Sequence, residues 1–96
     1  MASYITLINW TEQGLKNIKE SPKRLDTGRE LATKFRCKLK DFYMTIGAYD
    51  MVAIVEAPDD ESAARFMLTL AGQGNVRTTT LKAFPEEEYR RVLSGL

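Results

Sequence analysis

Three features of the sequence predict an α+β domain built on one four-stranded antiparallel sheet. Short runs rich in β-branched residues alternate with segments whose apolar residues recur at helical spacing. Two of those runs lie on either side of Gly47 with no helical segment between them, which is typical of a β-hairpin. One helical segment follows the first run and another follows the third. This βαββαβ order is the ferredoxin-like pattern, with both helices on one face of the sheet.

Length and composition limit the organisation and the chemistry of the chain. Ninety-six residues, 44% apolar and 28% charged, suit a single domain spanning residues 1–96. Histidine is absent and Cys37 is the sole cysteine. This excludes a Ser–His–Asp triad and an intrachain disulfide, and it removes the usual ligands of a structural zinc. We therefore expect no metal and no other cofactor.

The charge pattern bears on the partners of the protein. A net charge of +1 gives no reason to expect nucleic acid or a membrane surface as a partner. Residues 1–40 contain nine Lys/Arg and four Asp/Glu, whereas residues 41–96 contain five and nine. These two regions are either solvated faces or complementary patches on neighbouring subunits. The start, MASYITLINW, lacks the charged region and the cleavage site of a signal peptide, so we expect a cytoplasmic protein.

The first half of the chain predicts one strand and a crossover made of two helices. Tyr4–Asn9 alternates as the first strand, and Thr11 is a plausible N-cap for the helix that follows. That helix should end near Glu20, because Pro22 restricts the residue before it. Ser21 would then cap a second helix. The core-facing residues of the two helices are predicted to be Leu15 and Ile18, then Leu25, Gly28, Ala32 and Phe35.

The second half predicts three more strands and two more helices. The strands are expected at Cys37–Ile46, Asp50–Ala57 and Asn75–Phe84. Gly47 should supply a positive φ in the hairpin turn. Asp59 is the expected cap of the helix between strands three and four, and Pro85 opens an extra C-terminal helix. The apolar face of the third helix is predicted to contain Ala63, Phe66, Met67, Leu70 and Ala71.

Strand three is apolar on both faces, which predicts self-association. Met51, Ala53 and Val55 point to one face, and Val52 and Ile54 point to the other. The crossover helices cover only one face of such a sheet, and a large apolar face open to water is unusual in a monomer. We therefore expect a homodimer or a higher homo-oligomer, whose unit is a dimer packed sheet to sheet about a twofold axis. Alternatively, the C-terminal helix, with Tyr89, Val92 and Leu93, covers part of that face or reaches across to a partner.

The run MTIGAYDMVAIVEAPDDESA, together with NVRTTTLKAF and NWTEQG, resembles the GYD-domain family of small bacterial and archaeal proteins. The resemblance extends over roughly Tyr4 to Leu93. It implies a ferredoxin-like domain similar to the dimeric α+β barrels, and it implies no established activity. Cys37 stands where a small residue such as glycine is expected, which argues against a family-wide role for its thiol.

Tyr49 and Asp50, at the mouth of the central hairpin, are the first candidate ligand-binding residues. In one interpretation, the hydroxyl and the carboxylate line a ligand pocket. In the other, Asp50 accepts backbone N–H groups within the turn and Tyr49 packs over the sheet edge. The sequence leaves both interpretations open.

The other candidate ligand-binding residues are Tyr43, Trp10, Arg77 and Glu56. Trp10 either walls a pocket or staples the first helix to the end of the first strand. Arg77 would meet an anionic ligand or form an ion pair with a carboxylate such as Glu56. Glu56 would act as a general base if its pKa were raised, or it would pair with Lys82 or Arg77 on strand four.

These residues support three hypotheses about function. The first is a homo-oligomeric sensor or binding module that binds a small, partly apolar molecule between helices and sheet or between sheets. The second is a cofactor-free enzyme of the dimeric α+β barrel type, for which fold analogy is the argument. The third is a structural oligomerisation protein. The expected partners are a second copy of the chain and a small molecule, and no catalytic residue is assigned.

Overall fold

The computed structural model describes all residues, Met1–Leu96, and contains one four-stranded antiparallel sheet with helices on one face. The strands are β1 (Ala2–Trp10), β2 (Lys38–Met44), β3 (Met51–Ala57) and β4 (Val76–Ala83), in the spatial order β2-β3-β1-β4. The helices are α1 (Glu12–Lys16), α2 (Ser21–Lys34), α3 (Asp60–Gly72) and α4 (Glu86–Ser94), with one 3-10 turn at Ile18–Glu20. The predicted order of elements, including the extra C-terminal helix, is therefore confirmed.

The alternating strand β3 lies inside the sheet, between β2 and β1. Met51, Ala53, Val55 and Ala57 are buried under the helices, whereas Val52 and Ile54 are partly exposed on the opposite face. The prediction that β3 is apolar on both faces is confirmed.

Two of the predicted helix caps are present. The hydroxyl of Thr11 accepts a hydrogen bond from the Gly14 N–H at 3.1 Å, and Asp59 Oδ1 accepts one from the Ser62 N–H at 2.8 Å. Each bond satisfies one of the N–H groups that the first turn of a helix leaves without a partner. The predicted positive φ of Gly47 is also present, at 150°.

Ser21 is not the cap of α2, contrary to the prediction. The 3-10 turn continues directly into the helix, so Ser21 already has helical dihedral angles of −54° and −44°. Its hydroxyl instead accepts a hydrogen bond from Trp10 Nε1 at 3.3 Å, which attaches the end of β1 to the start of α2.

The predicted apolar face of the first helix is also wrong. Leu15 is 53% exposed and Ile18 is 37% exposed, because α1 ends at Lys16 and the two residues do not share one helix face. The buried residue of α1 is Gly14. Its backbone packs so tightly on the loop before β4 that an added Cβ would lie 2.1 Å from the Asn75 carbonyl oxygen.

The helix α4 and the second face of the sheet remain without a covering layer. No residue of α4 is buried, and its apolar side chains Tyr89, Val92 and Leu93 are each about half exposed. The sheet face opposite the helices carries Ile5 and Leu7 from β1 beside Val52 and Ile54 from β3. We refer to this face as the open face.

Candidate functional site

A cavity of ≈ 80 Å³ lies between the sheet and the helices α2 and α3. Its floor includes Ile8 and Met51, which are register partners in β1 and β3, and the adjoining Phe42 of β2. The helices contribute Leu25, Gly28, Phe66 and Leu70, and nine of the fourteen lining residues are hydrophobic. We refer to this space as the helix–sheet cavity.

Gly28 accounts for part of the space. It is buried in the middle of α2, and a Cβ built on it would have no heavy atom within 4 Å. Glycine inside a helix is less stable than alanine by about 1 kcal/mol. Backbone crowding therefore does not explain this glycine, and the absent side chain leaves room in the cavity.

One rim of the helix–sheet cavity is polar. Ser21 and Arg24 lie two turns and one turn before Gly28 on the same face of α2, and Gln73 and Asn75 come from the end of α3 and the loop before β4. Arg24 Nη2 donates to the carbonyl oxygens of Gly14 at 3.0 Å and Asn17 at 3.3 Å. These bonds hold the guanidinium group beside the cavity.

Arg24 has no carboxylate partner. The ion pairs of the chain join Glu61 to Arg65, Asp60 to Lys82 and Glu86 to Arg90. The residues that line the helix–sheet cavity include no aspartate or glutamate. A partly buried cation without a counter-ion attracts anions to this rim.

A second, open region lies between α3 and β4, with a volume of ≈ 470 Å³. At its margin the buried Tyr4 hydroxyl donates to Asp60 Oδ1, which also accepts from Lys82 Nζ at 2.9 Å. Burial, followed by the bond to Asp60, raises the pKa of Tyr4 to about 12. The bond from Tyr4, followed by that from Lys82, lowers the pKa of Asp60. The three groups satisfy one another.

Asp50 is engaged by the backbone at the end of β1. Its Oδ2 accepts a hydrogen bond from the Trp10 N–H at 3.0 Å. Its own N–H donates to the Ile8 carbonyl oxygen at 2.9 Å and to Asn9 Oδ1 at 3.2 Å. Asp50 therefore accepts a backbone N–H group, but from β1 and not, as the turn interpretation expects, from within the turn. The neighbouring Tyr49 is 36% exposed. A ligand-binding role for either residue stays a prediction.

The remaining candidates lie on two different faces of the sheet. Trp10 lines the helix–sheet cavity, and its indole N–H bonds to Ser21 of α2 and not to the first helix, to which the staple was predicted. Arg77, Tyr43 and Glu56 lie on the open face, since their register partners are Asn9, Val52 and Ser3, respectively. The structure brings Asp50 and Trp10 together and does not bring either of them to Glu56 at the far end of β3.

One predicted side-chain pairing is wrong. Glu56 does not pair with Lys82 or Arg77, because β1 separates β3 from β4 and Lys82 pairs with Asp60. The thiol of Cys37 is buried, and burial raises its pKa.

The polar residues of the helix–sheet cavity that the sequence analysis missed are Ser21, Arg24, Gln73 and Asn75. A signal for the first two was present, since Ser21, Arg24, Leu25 and Gly28 follow the i, i+3, i+4, i+7 spacing of one helix face. No local pattern marks Asn75, which reaches the cavity through tertiary structure alone.

The structure contains neither a candidate membrane-spanning helix nor a candidate metal site. No helix combines the length and the apolar character required to cross a membrane. No group of three or more His, Cys, Asp or Glu side chains is arranged to hold a metal ion.

Comparison with known proteins identifies relatives and a shared fold. The family model of the GYD domain matches residues 4–93. A curated protein of Thermus thermophilus, named glutamine synthetase and cystathionine beta-lyase binding protein, is 37% identical over 86 residues, which are 88% of this chain and 90% of that protein.

Solved structures support the fold assignment. A feast or famine regulatory protein from M. tuberculosis, complexed with L-methionine, superposes with a TM-score of 0.67 at 16% identity over 88% of this chain, which spans only 51% of that chain. A structure from Thermus thermophilus superposes with a TM-score of 0.57 at 24% identity, over 88% of this chain and 95% of that one. The ferredoxin-like α+β prediction is confirmed.

Proposed function

The chain belongs to the GYD-domain family, and we propose that this protein is a homodimeric module that binds a small molecule. The dimer is supported by the open face. The apolar centre of this face is not covered by a helix and consists of Ile5, Leu7, Val52 and Ile54. Leu81 of β4 extends this centre and is 48% exposed. Packing two such faces together removes apolar area from water, at about 25 cal/mol per Å².

We infer that α4 adds to the surface of the proposed dimer. Four strands about 4.8 Å apart, each with about seven residues rising about 3.3 Å, give a footprint of roughly 440 Å². A stable interface buries about 800 Å² on each partner. The apolar stripe of α4, with Tyr89, Val92 and Leu93 at spacings of three and one, supplies additional surface if it packs on the second copy.

Small-molecule binding is supported by the helix–sheet cavity. The cavity lies on the helix side of the sheet, so a dimer formed through the open face does not cover it. Its apolar wall and polar rim have the composition of small-molecule sites, in which a few polar groups orient a mostly apolar contact.

The experiment is light scattering of the purified protein at micromolar concentration. We expect a species of twice the 10.9 kDa chain mass. Ile54→Lys should dissociate or unfold it, because burying an unpaired charge costs several kcal/mol. Leu68→Lys is the matched control, since Leu68 is 74% exposed on α3 and the dimer should persist. A wild-type protein that remains monomeric contradicts the dimer. A thermal-shift screen of small metabolites tests the binding function separately.

A second candidate function is docking onto other proteins, as the name of the 37%-identical relative describes for that protein. The hairpin between β2 and β3 presents Met44 and Ile46, 68% and 99% exposed, as apolar contacts for a partner. Biolayer interferometry with purified glutamine synthetase and cystathionine beta-lyase tests this candidate. Ile46→Glu should weaken binding, whereas Leu68→Lys should not. Absence of binding by the wild-type protein contradicts it.

A further inference from the structure

We propose that the helix–sheet cavity binds a small aliphatic monocarboxylate, with its alkyl group beside Gly28 and its carboxylate on Arg24. This inference rests on the proposed small-molecule function and names the class of ligand. No residue of the cavity is needed for the open-face dimer, so the two can be tested independently.

The volume and the lining of the cavity determine how large the apolar part of the ligand can be. A cavity of about 150 Å³ lined by aliphatic and aromatic side chains binds benzene. The helix–sheet cavity, at ≈ 80 Å³, is about half as large. It therefore suits an alkyl group of about three or four carbons. Leu25, Phe42 and Leu70 surround this space with apolar atoms, which favours a branched aliphatic group over a polar one.

The hydrogen-bonding groups on the rim are donors. Arg24 Nη2 donates to the carbonyl oxygens of Gly14 and Asn17, and the other N–H groups of the guanidinium remain available to donate. Ser21 accepts from Trp10 through Oγ, which leaves its hydroxyl hydrogen to donate. Asn75 accepts from Gln13 Nε2 through Oδ1 at 3.0 Å, which leaves its amide hydrogens to donate.

Hydrogen-bond donors that have no carboxylate nearby are suited to bind an anion. A carboxylate has two oxygens that accept hydrogen bonds in a plane, and a guanidinium group presents N–H groups in the same geometry. A ligand with this head group and a short alkyl chain pairs the cation and fills the space beside Gly28 in one binding event. A neutral ligand of the same shape would fill the space and leave Arg24 without a counter-ion.

The closing experiment uses isovalerate as the probe and Trp10 as the reporter. Trp10 is the only tryptophan of the chain and lines the cavity, so its fluorescence reports occupancy directly. Titration with isovalerate should give a saturable change. The neutral amide isovaleramide and the short acid acetate should each bind at least tenfold more weakly.

Two variants with matched controls test the geometry. Gly28→Ala should weaken isovalerate binding at least fivefold, since the new methyl group occupies the alkyl site. The exposed Gly72→Ala should not change it. Arg24→Gln should abolish the preference for isovalerate over isovaleramide, whereas Arg29→Gln on the exposed face of α2 should preserve it.

The outcomes separate this inference from the function on which it rests. The inference is overturned if isovalerate gives no saturable change up to tens of millimolar, or if neither Gly28→Ala nor Arg24→Gln alters its binding. If that happens while light scattering shows a dimer and another metabolite gives a thermal shift, the ligand class is wrong and the proposed function stands. If the protein is monomeric and no metabolite shifts its melting temperature, the proposed function fails as well.

Discussion

Gly14→Ala tests the close contact that joins α1 to the loop before β4. The added Cβ would lie 2.1 Å from the Asn75 carbonyl oxygen. Relieving this overlap requires the two segments to separate by roughly 1 Å, because non-bonded atoms repel steeply at such a distance. The obstacle is backbone, so no side chain can rotate away to accommodate the methyl group.

The magnitude follows from the contacts that such a separation would break. The Thr11 N–H donates to the Asn75 carbonyl at 3.1 Å, and the Thr11 hydroxyl donates to the Gly74 carbonyl at 2.6 Å. Each hydrogen bond contributes about 1 kcal/mol, and overpacking adds about 1–3 kcal/mol. The higher helix propensity of alanine offsets about 1 kcal/mol of this loss. We therefore expect Gly14→Ala to lower the free energy of unfolding by about 2–4 kcal/mol, a large part of the 5–15 kcal/mol typical of a domain.

Urea denaturation at one fixed protein concentration measures this loss, because the proposed dimerisation would make apparent stability depend on concentration. The control is Gly72→Ala, for which an added Cβ has no heavy atom within 4 Å. It should change the unfolding free energy by less than about 1 kcal/mol. Thr11→Val should cost less in the Gly14→Ala background than in the wild type, since the bond from the Thr11 hydroxyl to the Gly74 carbonyl would already be lost. A Gly14→Ala protein as stable as the wild type would refute the reasoning.

Three further predictions concern stability. Gly47→Val should destabilise the fold by about 1–3 kcal/mol in thermal melting, because φ is 150° there and a β-branched residue is strained; an unchanged melting temperature would count against this. Arg36→Gly should stabilise the fold by about 0.5–1 kcal/mol, because Arg36 has a φ of 62° just after α2. Lys34→Gly, inside the helix, should destabilise the fold. Equal effects of the two changes would contradict the strain assigned to Arg36. The pKa of Tyr4 is about 12 in the folded protein, against 10.0 when unperturbed. The stabilisation that this shift provides is therefore complete below pH 10 and is lost as the pH rises towards 12. The loss amounts to about 2–3 kcal/mol, and unfolding free energies measured across this range should fall less steeply for Tyr4→Phe than for the wild type.

The parts of the fold that the sequence predicted correctly depend on short-range patterns. The alternation of β3 is visible because strand side chains alternate every residue, and its burial on one face follows directly. The caps Thr11 and Asp59 are visible because a cap and its N–H partner are three residues apart. The topology follows from the order of these elements and the few connections that such an order allows.

The parts that the sequence could not predict depend on contacts between distant segments. Gly14 and Asn75 are 61 residues apart, and no pattern around either residue marks their close approach. Ser21 precedes a proline, which is typical of a cap. The 3-10 turn before it gives Ser21 helical dihedral angles and frees its hydroxyl for Trp10. Because the 3-10 turn runs directly into α2, Ser21 does not act as the cap of that helix.

The hairpin turn and the helix–sheet cavity are nevertheless connected. The sequence analysis placed a candidate site at Asp50, and the structure shows that its carboxylate accepts the Trp10 N–H at 3.0 Å. This bond and the bond from Trp10 Nε1 to Ser21 hold the indole at the cavity wall from two sides. Asp50 thus fixes the backbone of a residue that lines the cavity, while Ser21 lies on the cavity rim beside Arg24. The hydrogen bond of Asp50 and the wall of the cavity are then two parts of one arrangement, in which the hairpin positions β1 and β1 positions Trp10 at the cavity.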